Sequence, residues 1–229
     1  MPDTPAVDVI VPTTRGPAAL EAALESARRA APGIALQFQV VEDAARRGPG
    51  WARNRAVAQG DAPILALLDD DDRWLPGRLT EALRILKQRP EVVLVSGDAV
   101  LAPGGLFLSP TRSGRRRAVA PGDHTHADLV GDCFVATSTV TMRRADWGSG
   151  MPEDLRNAED YALWLRFTAG GRPVHVLPDA LARIGTGDRR GALDADPVAA
   201  RAGAREALRR EARVPVPRLR FGWRDLLRD

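Results

Sequence analysis

The sequence predicts an α/β protein, a mostly parallel twisted sheet with helices on both faces. Short apolar β-rich runs alternate with helix-length amphipathic segments through about the first 100 residues, and Pro or Gly marks nearly every junction. The chain has 229 residues, 44% hydrophobic and 28% charged, which suits one sizeable core and excludes a disordered chain.

"VDVIVP" (7–12) is a first strand ended by proline, and "TTRG" is a turn. "PAALEAALESARRAA" (17–31) is a helix with Pro at its first position, closed by Pro32-Gly33. "LQFQVVE" (36–42) is the next strand, "DAARRGPG" (43–50) a loop, and "WARNRAVAQ" (51–59) a short helix ending at Gly60. "PILALL" (63–68) is a third strand; "PGRLTEALRILKQ" (76–88) puts Leu79, Leu83 and Leu86 on one helix face. "EVVLVSG" (91–97) is a fourth strand. Ligands of such sheets bind beyond the carboxyl ends of the strands, so the loops after Pro12, Glu42 and Leu68 belong to one edge.

Beyond residue 100 the alternation breaks down into a segment rich in Gly, Pro and Arg. "TSTVTMRR" (137–144) then reads as a strand and "AEDYALWLRFTAGG" (158–171) as a helix. "RPVHVLPDALARIG" (172–185) reads as two short strands broken at Pro178-Asp179, and "PVAARAGAREALRREA" (197–212) as a last helix.

No apolar run approaches the roughly 20 residues that span a bilayer, and the start has no basic, then apolar, leader pattern. The single cysteine, Cys133, excludes an intramolecular disulfide, and its apolar neighbours suit an inert buried thiol. These features predict a cytoplasmic protein. The tail from 213 to 229 holds five Arg and two Asp, 5 − 2 = +3, which equals the formal charge of the whole chain and leaves the body neutral. With no basic stripe interleaved with aromatics, nucleic acid is not an expected partner.

The chemistry concentrates in "ILALLDDDDRWLP" (64–76), where four carboxylates follow a buried strand. Either a hard divalent cation offsets their repulsion or the knot is a solvated turn capping the next helix. Trp74 and Pro76 at fixed offsets argue for a tightly fixed loop.

"LLDDDDRWLP" resembles the D-x-D region of family 2 glycosyltransferases of the GT-A fold. "VIVPTTRG", "VVED", "GPGWARNRAV", "TSTVTMRR" and "NAEDYALWLRF" are similar to further segments of that family, in its order, over residues 7–185. The resemblance implies a GT-A domain over 1–212, with a nucleotide-sugar-binding half (7–100), an acceptor-binding half (101–212) and a basic amphipathic tail (213–229). It implies transfer of a sugar, with inversion, from a nucleotide-diphosphate donor of UDP type to a hydroxyl or amine. The acceptor class is a small molecule, a glycan or a lipid-linked acceptor.

Site roles follow from the same resemblance. Asp71 is the ligand to Mg²⁺ or Mn²⁺, which stabilises the departing diphosphate, with Asp69 and Asp70 at the nucleotide and Asp72 supporting the loop. Pro12 and Thr13 lie against the nucleoside, with Arg15 in the same donor site. Asp43 accepts from the base, and Arg53 reaches base or phosphate. Asp160 is the general base and Glu159 holds the acceptor or the loop. Each has a plainer reading: Asp43 as a turn residue, Arg53 as helix surface, and Glu159 and Asp160 as acids complementing a helix dipole. Trp164 and His175 read as core or near-core, His124 and His126 as parts of a loop, and Arg115–Arg117 as a solvated face.

The chain departs from the family pattern at Gly185 and Thr186, where a histidine is expected, and at Glu42-Asp43 in place of two aspartates. Two alternatives remain: a non-catalytic GT-A-like binding or scaffold domain, and a sugar-phosphate nucleotidyltransferase. The latter wants a glycine-rich basic loop after the first strand, where "PTTRGPAAL" has one glycine. The tail's alternating apolar and Arg residues suit packing on the domain, a homodimer, or a peripheral membrane contact.

Overall fold

The computed structural model describes residues 6–101, 119–185 and 197–212. Its strands are β1 (Val7–Thr13), β2 (Leu36–Glu42), β3 (Ile64–Leu67), β4 (Arg73–Trp74), β5 (Leu94–Leu101), β6 (Gly122–His124), β7 (Thr141–Arg143) and β8 (Val174–Ile184). The helices are α1 (Pro17–Ala30), α2 (Pro49–Gln59), α3 (Arg78–Gln88), α4 (His126–Gly131), α5 (Glu159–Thr168) and α6 (Pro197–Glu211). One sheet runs β2-β1-β3-β7-β5-β8-β4, and β6 pairs with β8.

The α/β sheet expected from the alternation is present, with mixed pairing. β1 pairs parallel with β2 and β3, and β5 pairs parallel with β8. β7 enters antiparallel between β3 and β5, so a strand from late in the chain separates two early ones. β4 and β6 also pair antiparallel with β8.

Strand periodicity distributes the core to both faces. Val7, Val9, Val11, Ile64, Ala66 and Leu68 join Leu79, Leu83 and Leu86 of α3 and Leu24 of α1 in one cluster. Ile10, Leu65, Leu67 and Met142 face the other way, onto Ala52 and Ala56 of α2, Trp164 of α5 and Leu208 of α6. Trp164 is therefore core, as its spacing suggests.

Two segments differ from expectation. Thr137–Thr139 form a turn of 3₁₀ helix ahead of the short β7, so "TSTVTMRR" is only partly strand. β8 runs unbroken through Pro178, because its register against β5 shifts between Gly97 and Asp98. At such an irregularity the missing proline N–H costs no ladder bond. His175 of β8 is half-buried and satisfied by Asp123 Oδ1 at 2.7 Å, with Arg89 Nη1 at 3.2 Å. At the amino end of β1, buried Asp8 accepts from Gln39 (2.8 Å) and the Ala62 N–H (3.1 Å) and pairs with Arg144. That acid is a structural pin, remote from the carboxyl edge. Arg115–Arg117 and the tail from 213 to 229 lie outside the described residues.

Candidate active site

The loops after β1, β2 and β3 do meet at one edge. Thr13, the last residue of β1, donates its hydroxyl to Asp70 Oδ2 at 2.6 Å. Arg15 follows with Nε 3.3 Å from Asp70 Oδ1 and Nη2 2.9 Å from Asp71 Oδ2. Pro12, half-buried, directs this turn and brings no polar side chain. Asp43 is buried next to it, its N–H donating to the Thr13 carbonyl at 2.9 Å. Its carboxylate accepts the N–H groups of Arg47 (2.9 Å) and Gly48 (2.7 Å) and so folds its own loop. Each oxygen keeps a second lone pair for another donor.

Arg53, expected at the base or phosphate, is enclosed between two acids. Its side chain lies inside the protein, 4% exposed, with Nη2 2.7 Å from Asp69 Oδ1 and Nη1 2.7 Å from Glu159 Oε1. It thus joins the Asp loop to the first turn of α5. Burial alone would lower its pKa, yet Asp69, Glu159 and Asp160 outweigh burial and hold the guanidinium above its ordinary range. Close helix approach makes this possible: a Cβ on Gly50 would stand 3.0 Å from the Pro152 carbonyl and 3.1 Å from Glu159 Cγ. Asn54, one residue on, fixes the facing loop by donating to the Met151 carbonyl and accepting the Met151 N–H, both at 2.9 Å.

Glu159 is almost fully buried. Burial pushes its carboxyl upward, Asp160 adds to that, and Arg53 pulls it back. Asp160 accepts the Tyr161 N–H on Oδ1 at 2.7 Å and the Thr137 hydroxyl on Oδ2. The residue before this pair, Ala158, has a φ of 63°, left-handed backbone uncommon outside glycine and typical of over-determined sites.

Asp72 supports the loop, as expected. It accepts the Ser138 hydroxyl at 2.6 Å and the Gly185 N–H at 2.9 Å. Burial, with Asp69 and Asp71 beside it, pushes its carboxyl up to about 8. Gly185, with a φ of 71°, thus brings a backbone amide to the Asp motif where the family pattern has a histidine. Thr186 lies outside the described residues.

The fit to a divalent cation rests on charge and donor type. Six carboxyl groups, Asp69–Asp72, Glu159 and Asp160, stand against the three guanidinium groups of Arg15, Arg53 and Arg73, and burial with this crowding raises the carboxyls of Asp71, Asp72 and Glu159, which a cation would counter. Burial raises the Asp71 carboxyl, Asp69 and Asp70 add to it, and Arg15 offsets them in part. Among the described residues no three His, Cys, Asp or Glu side chains are grouped to enclose an ion. A cation here would take few protein oxygens and complete its shell with water and diphosphate, the habit of Mg²⁺.

His124 bonds the Ala120 carbonyl at 2.8 Å, and His126 bonds Thr168 Oγ1 at 2.9 Å, so the two engage separate partners. Burial pushes the Cys133 thiol well up, as an inert cysteine requires. Sequence reasoning missed Arg78, Thr137 and Ser138. "PGR" reads as a helix start and "TST" as strand, and neither spacing carries a site signal.

Comparison with known proteins shows what the chain resembles. A family model described as glycosyl transferase family 2 matches residues 34–146. TuaG of Bacillus subtilis, named for teichuronic acid biosynthesis, is 25% identical over 59% of this chain and 51% of its own length. ExoU of Rhizobium meliloti, a succinoglycan biosynthesis protein, is 31% identical over 66% of this chain and 47% of its own. The chain spans about half the length of these relatives. The crystal structure of Staphylococcus aureus TarS residues 1–349 in complex with UDP-GlcNAc superposes with a TM-score of 0.66 at 18% identity, over 88% of this chain and 65% of that one. The same TarS region in complex with UDP gives 0.61 at 19% identity, over 78% and 60%. Among the described residues no helix is long and apolar enough to cross a membrane. On the sheet and the matching model together, this chain has the GT-A fold, and its residues 34–146 are similar to glycosyl transferase family 2.

Proposed function

We propose that the protein transfers a sugar from a nucleotide-diphosphate donor of UDP type to an acceptor hydroxyl or amine, with inversion, using Mg²⁺ or Mn²⁺. The observation that carries this reading is Arg53, whose two 2.7 Å ion pairs bring Asp69 of the Asp loop and Glu159 of the Glu-Asp pair to one sheet edge. A donor bound at the Asp loop then lies beside the carboxylate that follows Glu159.

Each side chain has a part in this reading. Thr13 and Arg15 hold Asp70 and Asp71 and line the donor side, and Asp43 offers its remaining lone pairs to the base. Asp71, with Asp69, would hold the cation, which supplies positive charge at the departing diphosphate. Asp160 takes the proton from the attacking acceptor, and Thr137 orients that carboxylate. Arg53 positions Asp69 and Glu159 and is too enclosed to reach the donor. The acceptor is a small molecule, a glycan or a lipid-linked molecule. The two relatives' names and the TarS complexes with UDP and UDP-GlcNAc support a nucleotide-sugar substrate.

Calorimetry with UDP, GDP, TDP and CDP, with and without Mn²⁺, tests this on wild type and Asp71→Asn. Mn²⁺-dependent UDP binding that the variant loses is the expected result. Failure of all four nucleotides to bind wild type overturns the donor site.

A further inference from the structure

Arg78 is fully buried and, among the described residues, contacts no carboxylate. Its Nε and Nη2 donate to the Ser138 carbonyl at 3.1 and 2.9 Å, and Nη2 also reaches the carbonyls of Leu67 (3.1 Å) and Val140 (2.9 Å). Nη1 donates to Thr141 Oγ1 at 2.8 Å, and the group lies 4.0 Å over the Trp74 ring. Burying a guanidinium without a counter-charge is costly, and burial alone holds its pKa well below the ordinary value. What the arrangement fixes is the 3₁₀ turn Thr137–Thr139, tied to the end of β3 just before the Asp loop.

Every hydroxyl of that buried turn serves a different element. Thr137 donates to Asp160 Oδ2, on α5. Ser138 Oγ accepts the Asp69 N–H at 3.0 Å and donates to Asp72 Oδ2 at 2.6 Å, holding both ends of the Asp loop. Thr139 lies 2.8 Å from Ser96 Oγ, on β5.

We propose that this turn, clamped by Arg78, is the common mount of the reaction centre, setting the Asp loop and the general base in one frame. Ser138 is the positioning residue of the Asp loop and Thr137 that of Asp160; the assignment rests on the donor-site reading above. A turn that engages both carboxylate sites through adjacent residues fixes their separation with little slack. Binding energy from the donor is then not consumed in bringing the two together.

The test compares Ser138→Ala, Thr137→Val and Thr139→Val by amide hydrogen exchange and by UDP titration with Mn²⁺. Ser138→Ala is expected to speed exchange in residues 69–72 and weaken UDP binding about tenfold, as loss of a hydrogen bond to a charged group does. Thr137→Val is expected to speed exchange in the first turn of α5 and leave UDP affinity within about twofold, and Thr137→Ser restores protection. Thr139→Val, in the same turn, moves neither segment and serves as the control for general loosening. The same response from all three variants, or none from any, overturns the mount. If wild type binds no UDP the donor reading fails, and the exchange pattern alone still decides whether the turn holds both elements.

Discussion

Replacing Arg53 with methionine keeps most of the side-chain volume and removes the charge that joins Asp69 to Glu159. Both partners of Arg53 sit 2.7 Å away, and Glu159 is 4% exposed with Asp160 adjacent. Breaking a buried pair on one side typically costs about 3–5 kcal/mol, because the remaining charge stays buried. Here the cost has a ceiling: Glu159, already pushed upward by burial and Asp160, escapes it by taking a proton. The sign follows from linkage. An acid whose folded pKa lies above its unfolded value costs stability as pH rises from the unfolded value through the folded one. Without Arg53 that interval widens, with a slope of about 1.4 kcal/mol per pH unit. Glu159 already lies at about 8 in wild type, so the pH-dependent deficit of Arg53→Met is small below pH 8 and grows above it. For a chain of 229 residues, a loss of about 3 kcal/mol corresponds to a Tm lower by roughly 6–12 °C. Scanning calorimetry on both sides of the Glu159 value, about one and a half pH units below it, at it and about one and a half above it, measures the loss. A Tm within about 2 °C of wild type at all three pH values would refute the view that Arg53 holds a buried acid.

Two further outcomes follow from the packing and the surface. Gly203→Ala places a Cβ 2.3 Å from the Asn157 carbonyl, just before Ala158 and Glu159. It should displace α6, lower the Tm by several degrees and weaken donor turnover, whereas Gly16→Ala meets nothing within 4 Å and should leave both unchanged. Asp123, bonded to Arg89 and His175, has its pKa lowered to about 2, chiefly by the Arg89 hydrogen bond. Its small, solvent-screened contribution is present above the unfolded value near 4 and is lost as pH falls toward 2. Asp123→Asn should match wild type in Tm at pH 2 and fall below it at pH 6, and a constant difference would refute that origin.

The sequence reveals what local chemistry controls. β2 spans the residues its pattern marks, since a β-rich run bounded by turn residues has one stable pairing. The convergence of the loops after Pro12, Glu42 and Leu68 follows from parallel connections alone. Contacts that close far across the chain were not legible. Arg53 looks like helix surface, and its enclosure depends on Gly50 letting α5 approach 106 positions later. The run 137–141, β-branched at every position but Ser138, favours a strand, and three side-chain hydroxyls and Arg78 override that propensity at its start. The meeting of Gly185 with Asp72 spans 113 positions, beyond any spacing rule.

The place of β7 has a consequence for biosynthesis. β3 is complete at Leu67 and β5 at Leu101, yet the strand between them begins at Thr141. While the ribosome makes the intervening residues, one edge of β3 has no partner and the two sheet segments have nothing to join them. Closure is non-local and late, which slows folding and prolongs exposure of apolar strand edges. A nascent chain halted near residue 100 would be a client for chaperones, and release just past Arg143 is the first point at which β7 can join β3 to β5, with β8 still to follow.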